Sequence, residues 1–167
     1  TVSELAGRAS VITKAKEFNI ELSNEDAKKL IEEVQNLEHQ GFQFEAADGS
    51  LFLLMNKVQG ISPDYFDFES FRVFSERRNS ENVVSEAVCK INVKDQRYVT
   101  TGEGVGPVDA LSKALVGGLR NDYPDVEVVK LIDYKVRIID STDGTEATTR
   151  VLIEFTDGKR KWNTVGV

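Results

Sequence analysis

Three glycines fall within five positions, Gly102, Gly104 and Gly106, in the stretch TTGEGVGPVDALSKAL (residues 100–115), and Pro107 follows at once. A glycine-rich loop ahead of a helix can cradle a phosphate, hold another anion on backbone N–H groups, or simply turn the chain. The dinucleotide fingerprint places its third glycine five positions after the first. Counting from Gly102 that position holds Pro107, and counting from Gly104 it holds Asp109. The Gly-Lys-Ser/Thr of a nucleotide-binding P-loop is absent as well. Phosphate chemistry therefore has little support. Proline suits the first position of a helix, where its missing N–H is no loss, so a helix is expected from Pro107 onward. Its first-turn N–H groups would suit a carboxylate, and Asp109 complements the same end of the dipole. A strand-to-helix turn that uses glycine's freedom accounts for the same residues, and the two readings stay open.

Catalytic chemistry finds little else to work with. His39, the single histidine, sits at the end of an expected helix, where a cation complements the dipole. It has no second histidine for a metal pair and no serine–aspartate set for a triad. Cys89, the single cysteine, lies in the alternating run EAVCKINV and reads as a buried strand residue. That count excludes an internal disulfide framework and a multi-cysteine zinc site. The carboxylates are many but scattered over helix surfaces. Phe66, Phe68, Phe71 and Tyr98 stand at strand spacing and read as core, not as a stacking platform. On these grounds the chain is not a catalyst by itself, and it needs no cofactor.

The elements that position the glycine loop divide the chain in two. Residues 1–62 read as a helical accessory segment and residues 63–167 as mostly β. Val11, Ile12, Ala15 and Phe18 recur at helical spacing. A second helix has Ser23 as N-cap with Asp26 three residues on, the stripe Ala27, Leu30, Ile31, Val34, Leu37, and Gly41 as its stop. A third runs from near Asp48 to before Gly60. GISPDY (60–65) is turn chemistry and marks the boundary. Strands follow in FDFESFRVFSER, with a bulge after Phe68, and in SEAVCKINV, with Ala87, Cys89, Ile91 and Val93 on one face. QRYVTT leads into the glycines, and Val108, Leu111, Leu115 and Leu119 give the next helix its apolar face. VKLIDYKVRIID, ATTRVLIEFT and KRKWNTVGV make three more strands, with turns at Asp143–Gly144 and Asp157–Gly158.

This order is an internal repeat. Tyr98 matches Trp162 and Thr100 matches Thr164, and the second copy stops at Val167, where the first copy enters its helix. The expected class is α+β: accessory helices, then two pseudo-symmetric β-β-β-α units with the last helix missing, as in a fragment of a longer protein. The 167 residues carry a net charge of −7, which disfavours nucleic-acid backbones as partners. Neither a membrane-spanning run of about 18 apolar residues nor a signal-peptide pattern is found, so the expectation is a cytoplasmic protein without a membrane partner.

GEGVGPVDALSKAL, LIDYKVRIID and RVLIEFTDGKRKWNTVGV together resemble the C-terminal regulatory region of the citramalate synthase, 2-isopropylmalate synthase and homocitrate synthase family. VSELAGRASVITKAKEFNIELS and LEHQGFQFEAADGSLFLLM resemble the segments that follow the catalytic barrel there. The resemblance covers nearly the whole chain and is nearest to the citramalate synthase branch. It implies a parent that condenses acetyl-CoA with a 2-keto acid in a barrel holding a divalent metal, outside this chain. It also implies a homodimeric domain that binds a branched-chain end product, isoleucine or leucine, for feedback inhibition. By the same resemblance Gly104, Gly106, Pro107, Val108, Asp109, Tyr134, Ile138 and Ala147 border the effector pocket. A purely structural dimerisation module is the competing reading.

Overall fold

The computed structural model describes residues 2–78, 82–139 and 147–167. Helices come first: α1 (Val2–Glu17), α2 (Asn24–His39) and α3 (Asp48–Val58). Strands β1 (Asp67–Arg78), β2 (Asn82–Val93) and β3 (Gln96–Gly104) follow, then α4 (Pro107–Leu119) and a 3-10 turn over Pro124–Val128. The last strands are β4 (Lys130–Ile138), β5 (Thr149–Thr156) and β6 (Lys161–Gly166). The strands form two three-stranded antiparallel sheets, ordered β1-β2-β3 and β4-β5-β6, so the class is α+β as expected. The turn expected at Asp143–Gly144 lies outside the described residues. By its contacts the chain forms two compact units: residues 1–62, 132–155 and 160–167, and residues 63–131 with 156–159.

In the first unit the helices gather around Val11, Ala15, Leu30, Phe44, Leu51, Leu54 and Met55. The capping expectation for α2 holds: Ser23 Oγ accepts the Asp26 N–H at 3.0 Å. A cap of this kind contributes about 1 kcal/mol. Gly41, at φ +105°, ends the helix in a backbone conformation that glycine adopts without strain. Val165 of β6 packs against this helical core. Phe155 and Trp162, on β5 and β6, stack with ring centroids 6.3 Å apart.

In the second unit β2 pairs with both neighbours, and its Ala87, Cys89, Ile91 and Val93 are fully buried beneath α4. The β1 bulge expected after Phe68 appears as a register shift between Phe68 and Ser70. The face of α4 differs from expectation. Ala110, Ala114, Gly118 and Leu119 are its buried residues, with Leu111 and Leu115 packed at the flanks and Val108 only partly covered. Small residues take the centre because helix and sheet meet almost backbone to backbone, and a large side chain there would hold them apart. Phe66 and Tyr98 pack against the core as expected, whereas Phe68 and Phe71 are exposed, because α4 lies mainly over β2 and β3.

Candidate functional site

The glycine loop joins β3 to α4 inside the second unit. Gly104 closes β3 and is buried, Gly106 is the N-cap of α4, and Pro107 opens the helix as its sequence position requires. Two of the three glycines have a steric reason. A Cβ on Gly104 would stand 2.5 Å from Asp109 Oδ2 and 2.6 Å from the Ala110 nitrogen, and one on Gly102 would meet the α4 backbone even closer. Gly106 has none: its φ of −163° is extended backbone, and an added Cβ would meet nothing within 4 Å.

Asp109 turns back over the loop. Its Oδ2 accepts the Val105 N–H at 3.1 Å and the Lys113 ammonium at 2.9 Å. Lys113 Nζ also donates to the Glu103 carbonyl at 3.1 Å, which fastens the first turn of α4 to the end of β3. The Lys113 ammonium, helped by the Val105 N–H, holds the Asp109 carboxyl below the usual carboxylate range. Pairing at i and i+4 was legible from the sequence, yet Lys113 was not among the expected site residues. Beside the loop an open groove of about 710 Å³ runs between α4 and β3, lined among others by Thr101, Asp109, Lys113, Arg120 and Lys130.

The structure therefore places Gly104, Gly106, Pro107, Val108 and Asp109 together. Tyr134, Ile138 and Ala147 belong to the other unit. Tyr134 and Ile138 share one face of β4 with Ile132 and Val136, because alternate strand residues point the same way. All four are exposed, from 42% at Ile132 to 67% at Ile138. Neither Ile132 nor Val136 was expected to take part, although the alternating pattern marks them. Ala147 precedes β5 by two residues, and Thr148 beside it accepts the Ile139 N–H at 2.8 Å. Among the described residues no cluster of three or more His, Cys, Asp or Glu is placed to hold a metal ion. No described helix is long and apolar enough to cross a membrane.

Residues 45–167 match the LeuA allosteric (dimerisation) domain. The chain belongs to this family. Proteins called (R)-citramalate synthase resemble the LeuA-type chain along all or nearly all of its length. The one from Aquifex aeolicus is 47% identical over 100% of this chain and 32% of its own length. Those of Streptomyces coelicolor and Geobacter sulfurreducens are 43% and 40% identical, each over 99% of this chain and 32% of theirs. The chain thus spans about a third of the length of the curated relatives it matches.

Proposed function

We propose that the chain is the C-terminal regulatory part of a citramalate synthase-type enzyme and senses an end-product branched-chain amino acid, isoleucine first, for feedback inhibition. The observation that carries this reading is similarity along the whole of this chain to about a third of (R)-citramalate synthases, together with membership of an allosteric, dimerising domain family. The parent would be a cytoplasmic acyltransferase that joins acetyl-CoA to pyruvate in a barrel with a divalent metal. This chain, without that barrel, would be inactive alone. Residues 1–62 would link barrel to sensor, and residues 63–167 would form a homodimeric sensor of two pseudo-symmetric β-β-β units. The like strand order of the two sheets, with Tyr98 and Trp162 on β3 and β6, supports the repeat.

Gly104, Gly106, Pro107, Val108 and Asp109 would receive the polar end of the amino acid, and Tyr134, Ile138 and Ala147 its branched end. The helix-start N–H groups favour a carboxylate. The apolar face of β4 supports a covered role in the dimer, since contiguous exposed apolar surface marks interaction sites. Leucine is the alternative effector, with the same residues.

A thermal-shift titration of the chain with isoleucine, leucine, valine and glycine tests this. A ligand at about 100 times its Kd stabilises the native state by roughly 2.7 kcal/mol. A saturable shift with isoleucine supports the isoleucine reading, and one with leucine alone transfers it to leucine biosynthesis. A stable dimer indifferent to all four would leave dimerisation as the function.

A further inference from the structure

The turn between α2 and α3 engages strands more than a hundred residues later in the chain. Arg150 on β5 donates through Nε to the Gly41 carbonyl and through Nη1 to Gln43 Oε1 at 2.8 Å. On β6 the Asn163 N–H donates to Asp48 Oδ1 at 2.9 Å, and the Val165 N–H donates to Ser50 Oγ at 2.9 Å. Asn163 and Val165 are alternate residues, so their N–H groups point to the same side of the strand. Among the described residues β6 is an edge strand of its sheet, with no further strand beyond it there.

Edge N–H groups left open invite pairing with another chain, and proteins cover them. Here the cover is made of side chains from the start of a helix. Gly49 sits between the two capping residues, and a Cβ there would lie 2.9 Å from the Asn163 carbonyl oxygen, too close to be accommodated without a shift. Gly41 is constrained differently, by its φ of +105°, a backbone conformation that favours glycine. The Val165 side chain enters the helical core from the same strand whose N–H is capped.

We propose that Asp48 and Ser50 act as a polar cap in place of a fourth strand, that Arg150 holds the α2–α3 turn in its docked position, and that turn and β6 edge open and close as one unit. Movement of this sheet then carries α3 with it, whether or not a ligand is present. Arg150 is a positioning residue here. It touches neither capped N–H, and it acts through the turn.

Amide hydrogen exchange of the full chain, read residue by residue by NMR, tests this. Arg150→Met is expected to speed exchange at both Asn163 and Val165 by about tenfold or more, as loss of a charge-assisted hydrogen bond shifts local opening. Ser50→Ala speeds Val165, Asp48→Ala speeds Asn163, and Asp48→Asn, which keeps an acceptor oxygen, restores the protection of Asn163. Protected α2 amides around Leu30, in the same compact unit as Arg150, confirm that a variant is folded there. If Arg150→Met costs α2 its protection, Gln43→Ala, which removes one of the two Arg150 partners, carries the same expectation at about threefold. Unchanged exchange at Asn163 and Val165 in the folded arginine or glutamine variant overturns the coupling. Unchanged exchange in Ser50→Ala and Asp48→Ala overturns the cap.

Discussion

Gly102 on β3 and Ala110 on α4 meet backbone to backbone: a Cβ on the glycine would lie 2.4 Å from the alanine carbonyl oxygen. The contact sets how closely α4 can approach the sheet. Gly102→Ala must push the helix outward and is expected to cost about 1–3 kcal/mol, the usual penalty of overpacking. Denaturant unfolding measures it. Gly106→Ala, where an added Cβ meets nothing, should cost under about 1 kcal/mol, the scale of an N-cap change. Equal losses at both positions would show that the steric account of the loop is wrong.

Asp109 gives a pH dependence with a definite sign. Its folded pKa is lowered, chiefly by Lys113. The stabilisation is therefore complete above the unfolded aspartate value near 3.9 and is lost as pH falls through the lower folded value. Carboxyl NMR titration should find Asp109 ionising below the ordinary aspartate range, and Lys113→Met should move it up. The same substitution should leave the chain folded at neutral pH, because an exposed i,i+4 pair contributes only about 0.3–0.5 kcal/mol.

Tyr98 donates its hydroxyl to Asp122 Oδ2 at 2.8 Å, and Lys94 lies 3.3 Å from the other carboxylate oxygen. The bond to Asp122 raises the Tyr98 pKa, and Tyr98, with Lys94, lowers that of Asp122. For the tyrosine the gain is full below its unfolded value and fades as pH rises through the folded one. For the aspartate it is full above its unfolded value and fades as pH falls through the folded one. Ultraviolet titration should place Tyr98 above the ordinary phenol range, and Asp122→Asn should bring it down. A phenol that titrates alike in both proteins would deny the bond.

Cys89 is fully buried on β2, and desolvation pushes its thiol pKa up. A thiol reagent should therefore react slowly with the native chain and at the rate of a free cysteine once β2 unfolds, since the thiolate is the reactive form. Rapid labelling without denaturant would mean that β2 opens more readily than its burial implies.

Much of this architecture could be read from residue types because the signals are local. Ser23 with Asp26, the alternation from Ala87 to Val93, the bulge after Phe68 and Pro107 at a helix start each depend on neighbours within a few positions. The buried face of α4 could not be read in the same way. Ranking residues by apolarity favours Leu111 and Leu115, while the closest contact selects Ala110, Ala114 and Gly118 for their small size. Arg150 with Gly41, and Asp48 with Asn163, were also out of reach, since nothing near position 48 announces a partner at position 163. Of the candidate site, the loop from Gly104 to Asp109 was legible as a turn into a helix. The staple through Lys113 depends on side-chain direction, which spacing permits but does not select.

The single tryptophan, Trp162, belongs to the first compact unit, and the single cysteine, Cys89, to the second. The protein thus carries one native reporter in each half, an indole to be followed by light and a thiol to be followed by labelling. Coincident transitions by the two would establish all-or-none unfolding. Separate ones would mean that a fluorescence melting curve describes half of the molecule, with no foreign probe needed to see it.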